Sequence, residues 1–207
     1  MKNLALFICL GWVMLACSTF QDGEEPFAID NYHEQIERFS VSRKDYRGFY
    51  NTYQFDATLL NSQIRQQQVN LMAQTKSWPA SKVEEENKKL REELSLETEV
   101  FLSFFTPNKK DNKFIGKTAV WQVILEVDGQ KYEGTVSKNI MPMPDLLLLY
   151  PYFNRWSIPY TVKFKVPVTT IEKSPTKLII TGSLGLSENV FPALAPLAIP
   201  PSAQMDK

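Results

Sequence analysis

The sequence predicts a mainly β protein: an antiparallel β-sandwich with a helical hairpin inserted between two of its strands. Three observations carry that reading. Roughly seven short segments alternate apolar with polar residues or form compact apolar runs. Turns or short loops join nearly all of them. The regular strand–helix–strand alternation of a parallel α/β protein is absent.

Taken in order, Ile29, Tyr32, Ile36 and Phe39 recur at helical spacing, with Asp30 placed to cap a short helix. From Phe49 the period becomes two: Phe49, Asn51, Tyr53, Phe55, Ala57 and Leu59 share one face of a long, half-buried strand. Leu60, Ile64, Gln67 and Leu71 return to helical spacing up to about Thr75, where Ser77-Trp78-Pro79-Ala80 breaks the helix. A second helix opens with Ser81 and Glu84 as a capping box and carries Glu84/Lys88, Glu85/Lys89 and Lys88/Glu92 four residues apart. Its apolar stripe is only Val83, Leu90 and Leu94. Residues 60–97 therefore read as a helical hairpin that either projects as an arm or packs along the sheet.

Val100, Leu102 and Phe104 alternate with Phe101, Ser103 and Phe105, a strand apolar on both faces and so central. Trp121, Val123, Leu125 and Val127 face one way and run into Asp128-Gly129, a strong hairpin signal. The return strand places Tyr132, Gly134 and Val136 on one face. Met141-Pro142-Met143-Pro144 excludes a central strand, and Leu146–Tyr150 is a short buried run ended by Pro151. Residues 158–168 alternate again, with Pro159 and Pro167 suited to an edge or to strand ends, and 177–184 supply a last strand. The sandwich domain spans 28–186, followed by a Pro-rich tail over 187–207. An immunoglobulin-like sandwich is the commonest architecture of this size, but its cysteine pair is absent, and a small barrel is the rival.

The N-terminus has a separate logic. Lys2 precedes an apolar run, Leu4 to Ala16, that is shorter than the ~20 residues a membrane span needs. It ends in Val13-Met14-Leu15-Ala16-Cys17, which resembles the lipobox of bacterial lipoproteins, with Met14 where leucine is usual. The resemblance covers residues 1–17 only. It implies a signal peptide over 1–16, cleavage before Cys17 and acylation of Cys17, so that the lipid bilayer is a partner through that residue. One acyl chain anchors only marginally, and lipoproteins carry more than one. Ser18 stands where the enterobacterial sorting rule places an aspartate for inner-membrane retention, which implies the outer membrane. Residues 17–27 then form a polar tether.

Cleavage takes 16 residues from 207 and leaves 191; with Lys2 removed, 22 basic residues face 23 acidic ones. That balance predicts no nucleic-acid footprint and no basic patch for anionic lipid. Cys9 leaves with the signal peptide, so the mature chain has no disulfide and no cysteine metal ligand, and no cofactor is expected. His33 is the only histidine; His33-Glu34-Gln35-Ile36-Glu37 lacks the second histidine of a zinc-protease helix, so His33 reads as structural or solvent-facing. Gly182-Ser183-Leu184-Gly185 has no helix after it to aim at a phosphate and reads as a strand end with a bulge or a close backbone contact.

Paired carboxylates are the one catalytic device the composition leaves open, from Glu126, Asp128, Glu133, Asp145 and the acidic stretch 84–99. The candidate binding surface is the aromatic segment with Tyr150, Tyr152, Phe153, Arg155 and Trp156; the weightier reading of the same rings is ordinary core that caps the open end of the sandwich, since large aromatics usually lie mostly buried. The expected function is a non-enzymatic envelope lipoprotein that binds an envelope protein or polysaccharide or has a structural role. The alternative is a carbohydrate-active protein, either a sugar-binding module or a carboxylate glycoside hydrolase.

Overall fold

The computed structural model describes residues 29–194. The leader, Cys17, its tether and residues 195–207 of the tail lie outside the described residues. Among the described residues nine strands form two sheets in which every pair is antiparallel, as the alternating segments predict.

The first sheet has the order β1 (Ser40–Arg47), β2 (Tyr50–Leu60), β3 (Thr98–Phe105), β7 (Ile158–Phe164), β6 (Thr135–Lys138). The second has the order β5 (Gln130–Glu133), β4 (Trp121–Val127), β8 (Thr176–Gly182), β9 (Gly185–Phe191). Their facing surfaces make one core. Tyr53, Phe55, Ala57 and Leu59 of β2 join Val100, Leu102 and Phe104 of β3 and Tyr160, Val162 and Phe164 of β7. Opposite them lie Trp121, Val123, Leu125 and Val127 of β4, with Leu178 and Ile180 of β8. Each set occupies alternate positions because successive strand side chains point to opposite faces.

A layer of helices covers the outer face of the first sheet. Tyr32 and Ile36 of α1 (Ile29–Arg38), Ile64 and Leu71 of α2 (Ser62–Thr75), and Leu146 and Leu149 of α4 (Met143–Leu149) close over Leu60 and Phe101. The strand β3 is thus buried on both faces, which is why its sequence is apolar on both. The helical hairpin packs along the sheet rather than projecting: α2 lies on the sheet, and α3 (Ala80–Leu96) rests on α2 with Leu90 as its buried residue.

Several expectations are corrected. Asp30 lies inside α1 instead of capping it. The strand β1 was not legible in the sequence; as an edge strand it buries little and carries no apolar alternation. Phe49 leaves the face expected of it, because the turn Gly48-Phe49 precedes β2 and exposes the ring completely. The α3 capping box does not form: Pro79 takes the cap position without a side-chain bond, and its carbonyl accepts from Lys82 and Val83. The expected ion pairs in α3 give way to Lys89–Glu93, at 4.0 Å.

Leu146 to Leu149 is helical, since Pro142-Met143-Pro144 starts a helix where missing backbone donors cost nothing. The strand expected over 158–168 ends at Phe164; residues 165–167 lie outside it, and Val168 opens a short helix, α5 (Val168–Ile171). Pro159 sits in a strand paired on both sides, yet its carbonyl accepts from Asn139, so its missing donor faces beyond the end of β6 and costs no bond to β3. The tail begins later than 187, because β9 takes residues up to Phe191 as a second edge strand.

The Asp128-Gly129 turn forms as predicted, with φ of 48° and 79°, both left-handed as a primed hairpin turn requires. Its return strand does not run straight through. It stops at Gly134 and crosses to the first sheet as β6, so β5 and β6 belong to different sheets. A Cβ at Gly134 would lie 2.5 Å from Val162 Cγ1 and 2.8 Å from Phe164 Cε1, so only glycine fits this corner over the core.

Candidate functional site

The aromatic segment after α4 divides between core and surface. Tyr150 is buried and stacks on Phe101, with ring centroids 3.6 Å apart and planes 5° from parallel. Its hydroxyl accepts from Gln68 Nε2 at 3.2 Å, and burial pushes its phenol up to about 12. Phe153 meets Phe101 edge-on at 6.0 Å. The Tyr152 hydroxyl bonds to Thr58, and burial raises its phenol well above the ordinary value. These three rings seal the helix layer onto the sheet.

Asn154 then turns the chain outward by accepting from the Trp156 backbone N–H at 3.0 Å. Arg155 and Trp156 emerge into solvent, the indole 76% exposed. Trp156 stands over a shallow groove of about 340 Å³ with Gln54, Phe105, Asn154 and Ser157. Of the five candidate residues, two therefore form a surface and three do not.

A second concavity, of about 320 Å³, lies where the helical hairpin meets the sheet. Met72, Trp78, Leu90, Met141 and Leu149 supply its apolar wall. Arg65, Glu93 and Glu99 of its lining belong to an ion-pair chain. Arg65 donates to Glu93 at 2.5 Å and to Glu99 at 3.0 Å, and Lys163 bridges Glu99, at 3.2 Å, and Glu97. Glu99 and Lys163 are cross-strand partners on the outer face of the sheet. Desolvation pulls the Lys163 ammonium down, but its hydrogen bonds and attraction to Glu97 and Glu99 outweigh that and leave it raised. The chain of charges fastens α2 and α3 to β3 and β7.

The carboxylates do not assemble as a hydrolase pair in the groove at Trp156, whose lining contains none. Glu93 and Glu99 both pair with the Arg65 guanidinium, which engages them as ion-pair partners. Glu126 lies on the second sheet between Lys131 and Lys177, and Asp145 pairs with Lys76 at 2.6 Å. Among the described residues, no group of three His, Cys, Asp or Glu side chains is placed to hold a metal. His33 sits half-buried in α1 beside the Tyr32 ring, 5.9 Å away. Gly182 and Gly185 are close backbone contacts: Cβ atoms there would lie 2.2 Å from the Val120 carbonyl oxygen and 2.7 Å from the Tyr53 ring.

One surface escaped the sequence reading. The tip between β1 and β2 exposes Tyr46 by 56%, Phe49 by 102% and Tyr50 by 82%. Arg43, Lys44 and Arg47 are exposed on the same hairpin, a local basic cluster that the neutral overall balance concealed. Its signal was the run Tyr46-Arg47-Gly48-Phe49-Tyr50, a glycine turn between aromatic residues.

No protein-family model, curated protein or solved structure shows a significant match to the chain.

Proposed function

We propose that the protein is a lipid-anchored, non-enzymatic module of a bacterial cell envelope, held at the bilayer by acylated Cys17 and presenting its sandwich to an envelope protein or polysaccharide. The observation that carries this reading is the order of the chain. An apolar run ends at a lipobox-like Cys17, and twelve residues later, at Ile29, the first described helix of a domain with its own core begins. Fully extended, that connection reaches about 40 Å, enough to hold the domain beside the membrane surface without crowding it. Among the described residues no helix is long and apolar enough to cross a membrane, so the domain itself offers no helical span. Ser18 favours the outer membrane over the inner one.

Expression of the wild type and of Cys17→Ala in a bacterial host tests the anchor. The wild type fractionates with membranes as the shorter, processed chain, and Cys17→Ala accumulates as the longer precursor. Identical processing and fractionation of the two would remove the proposal.

The groove at Trp156 favours a second reading, a sugar-binding module. An exposed indole beside the Gln54 and Asn154 amides offers a stacking face and hydrogen bonds for a sugar ring. Envelope oligosaccharides should then change the tryptophan fluorescence of the wild type and leave Trp156→Ala unaffected; equal responses would exclude this groove.

A further inference from the structure

We propose that the tip of the β1–β2 hairpin is a bilayer-docking finger, which seats Tyr46, Phe49 and Tyr50 among the headgroups of an anionic membrane. The argument begins with shape. Arg47 pairs with Tyr50 across the two-residue turn Gly48-Phe49, and Gly48 has φ of +63°, a left-handed conformation that suits glycine and tightens the tip. A tight turn presents a convex end. Such an end encloses no small ligand, but it enters a soft interface at low cost. Phe49 stands at the apex with its whole ring in water, flanked by two tyrosines that combine an apolar ring with a polar end. Aromatic residues of this kind concentrate at membrane–water interfaces.

Charge selects the partner. Arg43, Lys44 and Arg47 are exposed, and none lies within ion-pair distance of a carboxylate among the described residues. The acidic groups of the hairpin are Asp45 and Asp56, both half-buried, so cations outnumber carboxylates. Arg47 donates to the Leu184 carbonyl at 2.9 Å, which braces the finger against the β8–β9 turn without neutralising the charge. Leu186, 60% exposed in β9, adds apolar surface on the neighbouring edge. Basic side chains behind an aromatic apex match anionic headgroups above an apolar interior. Chain order makes the bilayer the nearest such surface, a point that rests on the anchor proposed above; the arrangement of rings and charges does not.

The test uses the full chain with vesicles of phosphatidylglycerol and phosphatidylethanolamine, or of phosphatidylcholine alone, and reads backbone hydrogen exchange over residues 44–52. Anionic vesicles should slow exchange at the tip, and phosphatidylcholine should do so much less. Tyr46→Ser/Phe49→Ser/Tyr50→Ser should abolish the protection without changing the melting temperature. Arg43→Gln/Lys44→Gln should lower the docked-to-free ratio roughly 30-fold, the factor equivalent to about 1 kcal/mol per basic residue near an anionic surface. An unprotected tip on chains that sediment with the vesicles, equal protection on both lipids, or no sedimentation with anionic vesicles would overturn the finger. Failure of the anchor registers separately, in unchanged processing of Cys17→Ala.

Discussion

Replacing Tyr150 by alanine should unfold a large part of the protein's stability, while the same change at Trp156, six residues on, should do almost nothing. Tyr150 is 3% exposed and stacks in parallel on Phe101. Truncating a large core aromatic to alanine costs ~3–5 kcal/mol, because the cavity left behind collapses only in part. Gln68 would also lose one of the two phenols its Nε2 serves, Tyr32 and Tyr150. That adds ~1 kcal/mol if the amide finds no water. Against a domain stability of ~5–15 kcal/mol, the sum is about a quarter or more of the whole. Trp156 is 76% exposed, and its removal should stay within ~0.5 kcal/mol. Tyr150→Phe separates ring from hydroxyl and should cost only ~1 kcal/mol. Urea unfolding followed by circular dichroism, compared at constant slope, gives the three values. Similar shifts for Tyr150→Ala and Trp156→Ala, or a loss below ~1 kcal/mol at Tyr150, would refute the division of the segment into core and surface.

Gly134→Ala should destabilise by ~1–3 kcal/mol through overpacking against Val162 and Phe164; a neutral effect in the same urea assay would show that the strand does not cross between sheets there. Alkaline pH should weaken the fold, because burial holds the phenols of Tyr32, Tyr150 and Tyr152 above their ordinary values. A raised folded-state value contributes stability that is complete below the unfolded value. It is lost as pH rises toward the folded one, at up to ~1.4 kcal/mol per pH unit for each phenol. For Tyr150 the window runs from 10.0 to about 12, and unchanged stability across it would contradict the burial. Arg65→Met should cost ~1–3 kcal/mol, between the exposed and buried limits for ion pairs, by leaving Glu93 and Glu99 face to face. Adding Glu99→Gln should recover part of that loss, and strict additivity of the two changes would argue against the pairing.

Legibility in the sequence followed burial. The strands β2, β3, β4, β7 and β8 each turn at least one face to a core, and their alternation was readable. The edge strands β1 and β9 bring few apolar side chains to it, Val41 from one and Phe191 from the other, and nothing in Ser40–Arg47 marks a strand except its place beside β2. Leu146 to Leu149 has no period at all, so only the prolines before it could indicate a helix. The corner at Gly134 was hidden because a strand that changes sheets keeps its alternation. In the aromatic segment, composition marked the residues worth attention but not which side of the boundary each would take. The turn at Asn154 decides that, by placing Phe153 inside and Trp156 outside. The hairpin finger was missed for two reasons: Phe49 matches the parity of the strand that follows it, and its basic neighbours cancel in the overall charge.

The central claim concerns Cys17, and the intact mass of the protein extracted from bacterial membranes addresses it most directly. The account predicts a chain that starts at Cys17 and carries acyl groups on that residue. A chain that retains residues 1–16, or one cut before an unmodified residue, would contradict it.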